Sequence, residues 1–132
     1  MASLIGFYSL IFGLCISILN ILVSIKNFRN QDTFDNKIIS LTFLQFLFVI
    51  ISFFGLITSF VNSDFSNETV FNHSHTTKPL LYKISGTWGN HEGSLLLWLL
   101  VLTLFILLFL LKSRKQNKEY RILTLLFQQI II

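Results

Sequence analysis

Three long stretches of the chain contain no charged side chain: Leu4 to Ile25, Ile38 to Val61 and Leu95 to Leu111. A helix rises about 1.5 Å per residue, so about 20 residues cross the roughly 30 Å of hydrocarbon in a bilayer. The first two runs meet that length as they stand. The third meets it when taken back to Gly93, with Trp98 and Lys112 as interface anchors. A fourth run, Ile122 to Ile132, is about half a crossing and reads as apolar on every side. With no cationic face to rest on headgroups, it is expected to be the first half of a span completed elsewhere rather than an interfacial helix. The pattern predicts an all-α integral membrane protein with three transmembrane helices and the start of a fourth. It forms one membrane domain over residues 1–132, with spans at about 4–25, 38–61 and 93–111, a partial apolar segment at 122–132 and a loop at 62–94.

The spans carry internal patterns. In the first, Gly6, Gly13, Ser17, Asn20 and Ser24 share one face at 100° per residue, a small and polar stripe that lets another helix approach closely. In the second, Gln45, Ser52 and Ser59 recur every seven residues and mark another packing face, although small residues are common in membrane helices generally. The third span is almost all Leu, Phe, Ile and Val, with Thr103 and the Trp98 indole as its polar groups. Much of its surface is expected to meet lipid.

Composition agrees: 53% of residues are hydrophobic, 12% are charged and the mean hydropathy is +0.71, which leaves too little polar surface to cover a soluble globule. The formal charge of +4 does not indicate nucleic acid, because the basic residues sit beside apolar runs and form no patch interleaved with aromatics. Their distribution instead gives an orientation. Eight lie on one side, Lys26, Arg29 and Lys37 between the first two spans and Lys112, Arg114, Lys115, Lys118 and Arg121 after the third. Only Lys78 and Lys83 lie in the 62–94 loop. The positive-inside rule then puts the N-terminus and that loop on the outward side. The single cysteine, Cys15, permits no disulfide framework and no C-x-x-C site. Met1-Ala2-Ser3 carries no basic side chain and no small-residue cleavage site follows the first run, so it reads as a span rather than a cleaved signal. The absence of charge within the spans argues against an ion or metabolite channel.

The outward loop divides in two. Residues 62–72 are rich in Asn, Ser and Asp and read as a spacer. All three histidines, His73, His75 and His91, lie after it, together with Lys78, Pro79, Tyr82, Trp88, Asn90 and Glu92. Thr76 or Thr77 ahead of Lys78-Pro79 gives a helix start near Pro79. The segment Gly86 to Ser94 then leads into the third span, with glycines that allow close backbone approach. Its chemistry reads in more than one way. His73, His75, His91 and Glu92 hold donor atoms for a metal, but the spacing matches no zinc helix, and no metal site is assigned. His91 and Glu92 also suit a structural role, Glu92 complementing the positive end of the third helix. An imidazole beside Trp88 could meet haem, though spacing alone does not select that reading. No residue is singled out as catalytic.

The stretch His75 to Trp98, and above all the eleven residues Trp88-Gly-Asn-His-Glu-Gly-Ser-Leu-Leu-Leu-Trp98, closely resembles the early motif of the cytochrome c maturation F subunit, in particular its mitochondrially encoded form. The two preceding spans fit the start of that family in order and spacing. The resemblance implies a part in haem lyase assembly, which joins haem vinyl groups to the thiols of a C-x-x-C-H motif in apocytochrome c, on the outward side of a mitochondrial inner membrane or a bacterial plasma membrane. Trp88, Gly89, His91, Glu92, Gly93 and Trp98 would then shape a surface for haem or a partner, His91 standing in the early motif and not among the family's haem-ligating histidines. The family's Trp-rich segment and further spans are not in these 132 residues. The resemblance therefore implies an N-terminal fragment of the lyase subunit that is not catalytic alone. Its implied partners are the remaining part of the subunit on another polypeptide, a haem chaperone, a thiol-reducing maturation partner and apocytochrome c, with haem as cofactor. The alternative is a structural membrane subunit packed in a respiratory complex without handling haem.

Overall fold

The computed structural model describes residues 2–29 and 34–132. Among them there is no strand. The chain forms α1 (Ala2–Arg29), α2 (Phe34–Val61), α3 (Glu68–His73), α4 (Leu80–Gly86), α5 (His91–Lys112), a 3-10 turn at Ser113–Lys115, and α6 (Lys118–Ile131). The helices α1, α2 and α5 are long and apolar enough to cross a membrane. The fold class is that expected from the hydrophobic pattern.

The stripe on α1 is the seam of the bundle. Gly6 lies against Gly55, Gly13 against Val49, and Asn20 Nδ2 donates to Thr42 Oγ1 at 2.9 Å, the register of an antiparallel pair. A Cβ on Gly55 would stand 3.0 Å from Gly6 Cα and 3.1 Å from the Ala2 carbonyl oxygen, so the two backbones pack closely there and a larger residue would push them apart by a few tenths of an ångström. The α2 side of the seam is Ile38, Gln45, Ser52 and Ser59, with Thr42 and Val49 interleaved, all buried. This seven-residue recurrence is that of knobs-into-holes packing, in which a dry interface of small side chains lets dispersion accumulate where lipid leaves no hydrophobic drive between helices. Much of α5 faces outward, as expected. Phe105 and Leu108 are exposed, while Thr103 is buried and donates to the Leu99 and Leu100 carbonyls, both at 3.0 Å.

The helix α6 departs from the reading as apolar on every side. It begins at Lys118, its buried face is Arg121, Ile122, Leu125 and Gln129, and its exposed face carries Leu123, Phe127, Ile130 and Ile131. Polar groups point inward because a backbone or side-chain partner waits there, while lipid would leave them unpaired. Gln129 Oε1 accepts from Ser17 Oγ at 2.6 Å and from Gln45 Nε2 at 3.2 Å, and Gln129 Nε2 donates to Gln45 Oε1 at 2.9 Å. Gln128 Nε2 donates to the Leu102 carbonyl. These bonds join α6 to α1, α2 and α5. Below them, Ile38, Ile106, Leu110, Ile122 and Leu125 form a continuous apolar core.

At its C-terminal end α2 stops in a Schellman motif: Asp64 N–H donates to the Ser59 carbonyl and Ser63 N–H to that of Phe60, with Ser63 at φ 53°. Lys83 Nζ then donates to Ser63 Oγ at 2.6 Å, tying α4 to that end. The Ser66 hydroxyl donates to the Asp64 carboxylate at 2.5 Å, and this bond first of all holds Asp64 below the usual carboxylate range. The segment read as a spacer contains α3, started by the Asn67 side chain, which accepts from Thr69 N–H, and anchored by the fully buried Val70. Neither Thr76 nor Thr77 starts α4. Pro79 holds the cap position, with no side-chain cap bond, because its fixed φ already directs the chain into the first turn.

Candidate functional site

The conspicuous motif folds into a corner between α4 and α5. Asn90, in extended conformation at φ −113° and ψ 168°, caps α5: its Oδ1 accepts from Gly93 N–H at 2.6 Å. Its Nδ2 reaches back to donate to the Gly86 carbonyl at 2.7 Å. One buried side chain thus satisfies the start of one helix and the end of the other. Gly93 makes this possible, since a Cβ there would lie 1.6 Å from the Thr87 carbonyl oxygen. Thr87 is fully buried beneath the corner, and Gly86 rests on the ring of the buried Phe60 at the end of α2. The turn is therefore fixed to the membrane bundle and does not hang from it as a loose loop.

What the corner presents is a different set. Trp88 is 42% exposed at its tip, next to the exposed Gly89. His91 and Glu92 open α5 and are both exposed, Glu92 in the first turn, where a carboxylate complements the helix dipole. Trp98 lies seven residues beyond His91 on nearly the same helical face and is 66% exposed. His73 Nε2, at the end of α3, stands 3.8 Å from Glu92 Oε2, a surface contact that is an ion pair only when His73 is protonated and is then worth little. Lys78 Nζ donates to the His73 carbonyl at 2.7 Å, which ties the end of α3 to the turn that leads into α4.

The candidate residues therefore separate into two groups. Gly93 is buried and builds the corner, while Trp88, Gly89, His91, Glu92 and Trp98 are displayed by it. Glu92 and Trp98 border one cavity of about 400 Å³ between α5, α1 and the end of α6. Neither that cavity nor its two neighbours is lined by a histidine. Among the described residues no cluster of three or more His, Cys, Asp and Glu side chains could hold a metal ion. Trp88, Gly89, His91, Glu92 and Trp98 lie exposed on the corner and the first turns of α5. They make a surface. Asn90 is the residue whose importance sequence reasoning passed over; its signal was an Asn directly before a long apolar run with Glu92 in the first turn.

No family model matches the chain. It is 46% identical over 101 residues to the cytochrome c-type biogenesis protein CycK of Bradyrhizobium diazoefficiens, a match covering 76% of this chain and 15% of the relative. It is 40% identical over 101 residues to the cytochrome c-type biogenesis protein ccl1 of Rhodobacter capsulatus, covering 76% of this chain and 16% of that one. Among solved structures, the cytochrome c heme lyase CcmF superposes with a TM-score of 0.82 at 28% identity, over 99% of this chain and 22% of the lyase. The chain thus spans about 15% of the length of the curated relatives it matches.

Proposed function

We propose that this chain, a homologue of cytochrome c-type biogenesis proteins, is the N-terminal part of a haem lyase subunit and acts in covalent haem attachment to apocytochrome c. Similarity to CycK at 46% identity and superposition on the heme lyase at 0.82 support the family. The observation that carries the site is the corner itself. Asn90 and Gly93 fix the start of α5, so that Trp88, His91 and Glu92 stand exposed on a rigid outer surface. A surface positioned this way guides a bound partner without ordering cost at each encounter. Haem supplies the vinyl groups that react with cysteine thiols. This chain's residues orient and cover that meeting place, Trp88 by its flat apolar face and Glu92 by its charge. On this reading, reaction requires the rest of the lyase machinery, a haem chaperone, a thiol-reducing partner and apocytochrome c.

The orientation is part of the same proposal. Lys26, Lys37, Lys112, Arg114, Lys115 and Lys118 gather at one end of the bundle, and the corner stands at the other. By the positive-inside rule the corner faces the periplasm of a bacterial plasma membrane or the intermembrane space of a mitochondrial inner membrane. Trp88→Ala and Glu92→Ala are each expected to lower holocytochrome c yield about three- to tenfold, a loss of roughly 1 kcal/mol. Membrane insertion, checked by matched protein levels, should be unchanged. Covalent-haem staining reads the yield, and an unaltered yield in both variants removes the assignment. Purification with stoichiometric respiratory-complex subunits and no maturation protein would favour a structural role instead.

A further inference from the structure

At the end of the bundle away from the corner, the described side chains include the cations Lys26, Lys37, Lys112, Arg114, Lys115 and Lys118 and a single acid, Glu119. The last four of those cations fall on the end of α5, the 3-10 turn and the start of α6. The turn sorts its side chains. Ser113 is buried and accepts from Arg121 Nε at 3.1 Å, which fixes the inner side of the turn, while Lys112, Arg114 and Lys115 are all exposed. Positions three apart in so tight a turn lie nearly above one another, which brings Lys112 and Lys115 together. Among the described residues none of the three forms an ion pair.

An apolar strip starts directly beside these cations. Phe109 and Tyr120 meet edge to face, with centroids 6.0 Å apart, where α5 and α6 leave the turn. Phe105 lies about one helical turn from Phe109, and Phe127 about two from Tyr120, so each pair shares a face. Phe105, Tyr120 and Phe127 are exposed. The bonds from Arg121 to the Leu110 carbonyl and from Gln128 to that of Leu102 set the two helices antiparallel, so the four rings make one strip about 10 Å long.

We infer that this turn and strip bind an anionic phospholipid, its phosphate on Lys112, Arg114 and Lys115 and an acyl chain along the four rings. The order of the surface, cations and then hydrocarbon, is that of the lipid itself. A soluble phosphate would meet the cations and leave the rings uncovered. The Arg114 guanidinium suits a phosphate because it presents paired donors. Tyr120 stands between the two zones, where an apolar ring with a polar tip is favoured. The inference needs α5 to cross the membrane and does not depend on the proposed function.

Native mass spectrometry tests it on the full protein released from nanodiscs of phosphatidylcholine with a minor share of phosphatidylglycerol. The parent is expected to retain phosphatidylglycerol. The double variant Arg114→Gln, Lys115→Gln should lower the retained fraction about tenfold, since each cation near an anionic headgroup contributes to the attraction. Lys26→Gln with Lys37→Gln removes the same charge from the same end and should change retention less than about threefold. Phe127→Asn should also lower it, and inorganic phosphate should not displace the lipid. Matched helical circular dichroism shows that the variants fold. Equal losses in the two charge variants would mean a diffuse basic field without a site, and displacement by inorganic phosphate would mean an anion site without a lipid. Either result overturns the inference, as does a parent that retains no phosphatidylglycerol.

Discussion

Gly93→Ala is expected to destabilise the protein by about 3 kcal/mol, at the upper end of overpacking costs, because the new methyl has nowhere to go. Its carbon would stand 1.6 Å from the Thr87 carbonyl oxygen and 2.8 Å from the carbonyl carbon, both of them backbone atoms. No rotamer change relieves a clash with backbone, so the turn or the first turn of α5 must shift. Either shift breaks the bond from Gly93 N–H to Asn90 Oδ1 and with it the link from Asn90 to Gly86. Thermal unfolding in mild detergent reads the loss, and Ser94→Ala next door, whose hydroxyl bonds only the His91 carbonyl, should stay within about 0.5 kcal/mol of the parent. Equal midpoints for the two variants would mean that the corner is not rigid.

Arg121→Ala should cost about 2–4 kcal/mol, through the other end of α5. Arg121 is only 1% exposed, yet it carries a charge, so its surroundings must hold it by hydrogen bonds. Its Nε donates to Ser113 Oγ and its Nη2 to the Leu110 carbonyl, both at 3.1 Å. That carbonyl belongs to the last turn of α5, where no backbone donor remains and a cation also meets the negative end of the helix. Truncation leaves the carbonyl and hydroxyl buried without their donor and opens a void at the start of α6. Arg121→Lys restores the charge but not the forked geometry and should recover only part of the loss. Protease sensitivity of the 113–121 segment together with the unfolding midpoint checks it; α6 should loosen before the rest of the bundle.

What could be read from the sequence and what could not follow from the reach of each signal. A bilayer imposes a length on every crossing, so the three long helices announced themselves through uncharged runs alone. The stripe through Gly6, Gly13, Ser17, Asn20 and Ser24 was visible because close helix approach admits few residue types, and it is the seam with α2. The inverted amphipathicity of α6 was not visible. Gln128, Gln129 and Arg121 look like polar interruptions until Leu102, Gln45 and Ser113 stand opposite them, and the first two of those partners are far away in sequence. The short helix α3 depends on the single cap at Asn67 and one buried side chain, Val70, too few residues for periodicity to register. At the corner the sequence drew attention to Trp88, His91 and Glu92 because their chemistry is conspicuous. The residues that build the corner, Asn90 and Gly93, act through backbone geometry, which composition does not display.

The two-sidedness of the bundle carries the functional account, since a haem-attachment surface must share a compartment with apocytochrome c. Labelling with a membrane-impermeant maleimide measures it directly, in sealed membranes of known sidedness and a Cys15→Ser background. Phe71→Cys, on α3 beside the corner, should react from the outward side without permeabilisation, and Lys115→Cys, in the basic turn after α5, should react only after it. Labelling of both positions from one side, or of Lys115→Cys alone from outside, would contradict the account.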